Sequence, residues 1–253
     1  YLGDIQIPLG VPNIDYYLSS ELQEPIDADT HYAECLVRLP GAPTYYDRPE
    51  LPKKDFKSRA EFGFPQNGSL YFCCQTLFKI HPAMDNWLGE ILRADPKGNI
   101  LIPAGFTPGL SDRLQARFER SIPDVVDRVQ FLPAMSHMDF MNVLSLSDVS
   151  LDTRPFGGGN TSWQAIAAGT PMVTWPGRFL RGRYTAALYQ LMNIKEPVVD
   201  SGEEYVSRAV QFAKDCDFQR HVLELVAERS DSIFGDMCHV NALSEFILRV
   251  ARG

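Results

Sequence analysis

SDVSLDTRPFGGGNTSWQAIAAGTP, Ser147 to Pro171 of a 253-residue chain, passes from an apolar run through Gly157, Gly158 and Gly159 into an alanine-rich stretch that ends at Gly169. The order is strand, loop, helix. A helix start presents backbone N–H groups without intrahelical partners and the positive end of the peptide dipoles, which together favour an anion. Asn160, Thr161 and Ser162 add side-chain hydrogen-bonding groups there, and the glycines let a ligand approach the backbone. Two readings stay open on these residues alone: a site for a phosphate-bearing ligand, or a helix N-cap behind a flexible loop.

Working outward, the same alternation continues on both sides. Upstream, SLYFCC (Ser69–Cys74) reads as a buried strand and Pro82–Ala94 as an amphipathic helix, with Trp87, Leu88, Ile91 and Leu92 at helical spacing. NILIPA (Asn99–Ala104) is a second strand, Asp112–Arg120 a helix, RVQFLP (Arg128–Pro133) a third strand and His137–Leu146 a helix. After VSLDT as the fourth strand come PMVTWPG (Pro171–Gly177) and PVVD (Pro197–Asp200) as the fifth and sixth. Tyr184–Met192 and Glu203–Ala213 fill the helical gaps, and Phe218–Arg229 and Val240–Val250 follow as terminal helices. Apolar strands separated by helices predict an α/β fold, a Rossmann-like parallel sheet with helices on both faces. Ligands bind such sheets beyond the carboxyl ends of the strands, so the loops after Cys74, Leu132, Thr153 and Trp175 are expected on one rim.

The remaining composition narrows the class. With 45% hydrophobic and 22% charged residues the chain reads as a soluble globular protein. A net charge of −8 argues against general binding to nucleic acid or anionic membrane. No apolar run reaches membrane-span length and no secretory signal pattern opens the chain. The start at Tyr1 in place of methionine leads us to expect a processed or excised piece. Five cysteines without metal-ligand spacing fit a reducing, cytoplasmic setting. Leu39–Phe56, rich in tyrosine and proline, reads as an irregular connector.

Two rim segments carry further chemistry. QTLFKIHP holds Lys79 as its one basic residue, either a counter-charge for a diphosphate or a solvated surface lysine. PAMSHMDF offers His137 and Phe140, suited to a planar base or simply to a packed helix start. Asp27-Ala28-Asp29 lacks a preceding apolar strand to aim it at a metal and reads as a solvated turn. His31, His81 and His137 are available as bases by type, and spacing places a partner beside none of them.

QTLFKIHP, FLPAMSHMDFMNVLSLSDVSLDT, GGGNTSWQAIAAGTPMVTWPG and RGRYTAALY, in this order, resemble the C-terminal catalytic half of O-linked N-acetylglucosamine transferases, including SPINDLY-like members. Bacterial N-linked glucosyltransferases of the same superfamily are similar too. IDYYLSSELQEPIDADTHYAECLVRLPG resembles the segment just before that half. The resemblance implies the C-terminal half of a GT-B glycosyltransferase. It also implies a UDP-sugar donor, a protein or peptide acceptor, and transfer with inversion and without a metal. Implied partners are an N-terminal catalytic half and a helical-repeat domain. It divides the chain into residues 1–65 (the end of the N-terminal catalytic domain and the connector), 66–215 (the UDP-sugar-binding domain) and 216–253 (helices packing back).

Position by position, the resemblance puts Lys79 on a catalytic lysine that contacts the diphosphate. Asn160 and Thr161, with Ser162 following, fall on the helix start that binds phosphate. Met135, His137, Phe140 and Gln164 fall on ribose- and uracil-binding positions. Gln164 stands where the family has an acid and Phe140 where it has a histidine. Gln75 stands one place before the family glutamine, whose position is Thr76, and Arg183 matches an arginine of open role. These departures point to a bacterial branch. A nucleotide-sugar-binding module without turnover, and an interaction domain whose glycine loop is only structural, are the competing readings.

Overall fold

The computed structural model describes residues 13–42, 44–51, 56–105 and 107–252. Two sheets form. β1 (Tyr16–Ser20) and β2 (Cys35–Leu39) pair in parallel, Tyr16 opposite Cys35 through Ser20 opposite Leu39. The second is a five-stranded parallel sheet in the order β5-β4-β3-β6-β7, made of β3 (Leu70–Phe72), β4 (Asn99–Pro103), β5 (Val129–Leu132), β6 (Val149–Leu151) and β7 (Met172–Val173).

Along and beyond β3 the residues alternate between two cores. Tyr71 and Cys73 pack with Ile100, Ile102, Leu88 and Phe212, while Leu70, Phe72 and Cys74 pack with Leu101, Met141, Leu144 and Ala165. The period of two is hidden in the sequence because both faces are covered and both sets are apolar. Helix α1 (Ala83–Ala94) buries Met84, Leu88, Ile91 and Leu92, one stripe at helical spacing. It packs on α6 (Gly202–Lys214), and α3 (His137–Leu146) packs on α4 (Asn160–Ala168). α2 (Leu110–Ser121) adds Leu114 and Phe118 to the first core. α4 ends where Gly169 takes a left-handed φ of 71°, returning its N–H to Ala165 and Ile166, a conformation that glycine adopts without a Cβ penalty. Phe72, fully buried between β4 and β6, is a position where truncation to alanine is expected to cost about 3–5 kcal/mol.

The chain winds from β3 outward to β5, then crosses back through α3 to place β6 on the other side of β3. That reversal makes the gap between β3 and β6 the topological switch point, where ligands enter doubly wound sheets. The loops carrying Lys79 and Gly157 leave from these two strands.

Two expectations are revised. PVVD is not a strand: Val198 makes only an isolated parallel bridge to Thr174, because β7 ends at Val173 and gives it a single partner. The tyrosine-rich opening contains β1 and β2, which sequence reading passed over. β2 is then joined by α8 (Cys238–Val250), whose Phe246 ring meets Tyr16 edge-on at 5.1 Å. Between α6 and α8 runs α7 (Cys216–Arg229), and α5 (Tyr184–Leu191) follows the β7 loop. Residues 1–12, 43 and 52–55, within the first expected segment, lie outside the described residues. No helix among the described residues is long and apolar enough to cross a membrane.

Candidate nucleotide-sugar site

At the carboxyl end of β6, Asp152 shapes the glycine loop from beneath. Its Oδ1 accepts the amides of Gly158 (2.7 Å) and Thr153 (3.0 Å), and its Oδ2 accepts the Thr174 hydroxyl at 2.7 Å. Burial pushes this carboxyl above its ordinary value, opposed by hydrogen bonds from Thr185, Thr174 and Gly158 and by the charge of Lys79. Gly157 also donates its amide to the Arg181 carbonyl at 2.8 Å, tying the loop to the segment after β7. A Cβ on Gly157 would sit 3.1 Å from the Asp152 carboxylate, so the loop fits only as glycine or with a shift.

The loop after β3 meets this one from the other side. Lys79 closes the short 3-10 turn Leu77–Lys79, and its Nζ donates to the Gly157 carbonyl at 2.8 Å and to Gln75 Oε1 at 3.4 Å. The same ammonium lies over the Phe156 ring, 4.1 Å from its centroid. Lys79 and the approach to α4 therefore share one rim, across the switch point from each other.

Helix α4 starts behind Gly159 with no side-chain cap among the described residues and no acid in its first turn. Asn160 is exposed at its mouth and Thr161 is half-buried beside it. Ser162 departs from expectation. It is fully buried, its hydroxyl pairs with Thr185 Oγ1 at 2.8 Å and its amide goes to the Gly159 carbonyl at 3.0 Å. Helical geometry turns the third residue inward, so Ser162 braces the helix start from behind rather than facing the rim.

In front of α4 opens a cavity of about 490 Å³. Met135, His137, Phe140, Gln164 and Thr161 line it together with Gln75 and Thr76. Four of these were expected at a nucleoside, and the fold brings all four to one hollow. Phe140 rests against Phe72 with ring centroids 5.4 Å apart, and His137 is the first residue of α3. Asn160, Ser162 and Lys79 stand outside the cavity lining, with Lys79 one hydrogen bond away at Gln75. Among the described residues the lining carries no acidic side chain, which suits an anion.

The other expected groups are placed as follows. His81 Nδ1 accepts the Ala83 amide at 3.2 Å at the start of α1, and the His31 ring meets Phe179 edge-on at 4.9 Å. Asp29 is exposed and held by Arg38 through bonds of 3.1 and 2.6 Å, which lower its pKa. Among the described residues no three His, Cys, Asp or Glu side chains gather as a metal would need. Arg183, of open role in sequence, donates to the carbonyls of Gln23 (2.7 Å) and Gly177 (3.0 Å) and so joins the β1–β2 segment to the main sheet. Cys73 and Cys74 are buried thiols, and burial pushes Cys74 to about 12.

Sequence reasoning missed Asp152 as the anchor of the loop and Gln75 as the link between Lys79 and Thr161. An acid at the end of an apolar strand, just before a glycine run, was the available signal for the first. The second depends on a contact between residues 86 positions apart and left no local trace.

Comparison with known proteins gives the family and the fold. The model of glycosyl transferase family 41 matches residues 49–240. Curated relatives include probable UDP-N-acetylglucosamine–peptide N-acetylglucosaminyltransferases SPINDLY. The one from Solanum lycopersicum is 29% identical and the one from Oryza sativa subsp. japonica 30% identical, each over 81% of this chain. The chain spans only 22% of the length of either relative. Among solved structures, a Thermobaculum terrenum O-GlcNAc transferase mutant superposes with a TM-score of 0.78 at 25% identity, over 94% of this chain and 44% of that one. The glycosyltransferase WaaG, at 16% identity, shares the fold with a TM-score of 0.63 over 94% of this chain and 63% of its own. The fold is that of GT-B glycosyltransferases, and the chain belongs to glycosyl transferase family 41.

Proposed function

We propose that this chain is the donor-binding half of an inverting glycosyltransferase. The enzyme would move a sugar, N-acetylglucosamine or a related hexose, from a UDP-sugar to a serine or threonine side chain of a protein. One observation carries the reading: the Lys79 ammonium bonds the Gly157 carbonyl just before the uncapped start of α4, and Gln75 links it to Thr161 in the lining of an acid-free cavity. The diphosphate spans Lys79 and the amides at Asn160 and Thr161, and the nucleoside lies among Met135, His137, Phe140 and Gln164.

When the acceptor hydroxyl attacks the anomeric carbon, the bond to the diphosphate oxygen breaks and negative charge grows on the departing UDP. A lysine and a helix start already aimed at that oxygen stabilise the transition state more than the ground state. The acceptor proton goes to a group of the N-terminal catalytic half. Residues 1–65 would be the end of that half and the connector, 66–215 the donor domain and 216–253 the returning helices. A two-stranded parallel sheet is too small to stand alone, which supports β1 and β2 as the rim of a larger one.

A binding module without turnover is the second reading, favoured by the neutral Gln164 at the ribose position. The full-length protein, given labelled UDP-sugars and peptide acceptors, separates the two. Transfer that disappears in Lys79→Ala supports the enzyme. UDP binding without transfer or donor hydrolysis supports the module, and preference for a different nucleoside diphosphate overturns the assignment of uridine.

A further inference from the structure

We propose that Gln75 is a positioning residue that aims the Thr161 hydroxyl proton at the bound diphosphate while holding Lys79 toward the same anion. The proposal rests on the reading of this cavity as a nucleotide-sugar site. Gln75 is 2% exposed and lies between the two sides of the rim. Its Oε1 accepts from Lys79 Nζ at 3.4 Å and its Nε2 donates to Thr161 Oγ1 at 2.6 Å.

The amide orientation follows from chemistry. An ammonium only donates, so the carbonyl edge of Gln75 must face Lys79, and the NH2 edge is thereby turned to Thr161. Thr161 Oγ1 is then an acceptor on the Gln75 side, and its own proton points elsewhere. Cys74 Sγ, a weak acceptor, is the other group that the Thr161 hydroxyl meets, and a phosphate oxygen in the cavity that Thr161 lines would be the stronger acceptor for that proton. Thr161 stands in the first turn of α4, so no preceding helical turn offers a carbonyl to take that proton. Gln75 thus selects the donor state of Thr161.

The loop leaves no room beside this bridge: a Cβ on Gly158 would run into Ser162 Oγ and lie 2.8 Å from Gln75 Nε2 and 2.9 Å from Thr161 Oγ1. The amide is also neutral, so it organises two donors without cancelling the charge of Lys79. A carboxylate at the same place would form an ion pair with that lysine and repel the diphosphate.

The test is calorimetry of UDP and uridine with the full-length protein and with Gln75→Leu, Gln75→Glu, Thr161→Val and the Gln75→Leu/Thr161→Val double variant. Urea unfolding of each accompanies it. Gln75→Leu is expected to weaken UDP on the order of tenfold and leave uridine unchanged. The double variant should be no weaker than the worse single one, the mark of two residues acting through one bond. Gln75→Glu should bind UDP poorly at pH 8 and recover as the introduced carboxyl protonates at lower pH, a dependence absent from Gln75→Leu. Wild-type UDP affinity in Gln75→Leu, additive losses in the double variant, or a pH-independent Gln75→Glu would each overturn the proposal. Should Gln75→Leu fail to fold, the near-isosteric Gln75→Glu decides alone through its pH response. A wild type that binds neither ligand removes the nucleotide reading itself, and this proposal with it.

Discussion

Helix α3 starts at His137 with the Ser136 hydroxyl accepting the Asp139 amide at 3.1 Å, and with the Asp139 carboxylate in its first turn. Helix α4, its packing neighbour, starts at Asn160 behind Gly159 with neither a cap nor an acid among the described residues. Both start on the carboxyl-end side of the sheet, at the same cavity. The positive end of α3 is answered within the chain, by Asp139, which also pairs with Lys57 at 2.5 Å. That of α4 has no such answer in its own first turn, and Lys79 reaches the Gly157 carbonyl beside it from the facing loop. In the proposed function adjacent helices of one fold divide the work: α3 would supply a wall for a nucleoside and α4 a seat for its phosphates.

The largest expected effect comes from removing the added charge. Lys79→Ala should lower transfer by the full-length enzyme by roughly 10²–10³-fold, the scale of losing one preorganised transition-state donor. Its urea midpoint should stay near wild type. Unchanged turnover would leave α4 no better equipped than α3.

Gly158→Ala comes next, because its Cβ would press on Ser162, Gln75 and Thr161. Overpacking of this kind costs about 1–3 kcal/mol, and the variant should lose both stability and UDP affinity in parallel denaturation and binding assays. Asn160→Asp gives α4 the acid that α3 already has. It should stabilise the free protein by about 0.3–1 kcal/mol while weakening UDP severalfold, so the two measurements move in opposite directions. A variant that binds UDP as tightly as wild type would break the contrast between the helices.

The smallest effect lies away from the rim and serves as its control. His239, at the start of α8, is buried with Nδ1 3.3 Å from the Pro40 carbonyl, and burial lowers its pKa below the ordinary 6.5. The unfolded chain therefore takes up this proton first. The stability that His239 contributes is complete above pH 6.5 and fades as pH falls below it toward the folded-state value. Urea midpoints should drop over that window, and His239→Gln should flatten the drop without altering UDP affinity at pH 8.

The strands and helices of the main sheet were legible because each is a contiguous apolar or periodic run ended by glycine, proline or a polar cluster. The rim was legible too, since a parallel sheet assigns it to the carboxyl ends of its strands. Ser162 was misjudged because the sequence shows a hydroxyl but not which side of the first helical turn it occupies. β1 and β2 escaped notice because five-residue strands with tyrosine and charge among them lack the apolar density of β3 or β4. PVVD had the right composition and only Thr174 as a strand partner, a matter of sheet length that composition does not encode.

The most direct test compares UDP with uridine by calorimetry, on wild type and on Lys79→Ala. If Lys79 and α4 hold the diphosphate between them, wild type binds UDP far more tightly than uridine, and Lys79→Ala removes most of that difference while leaving uridine affinity in place. Equal affinity of wild type for uridine and UDP would contradict the account.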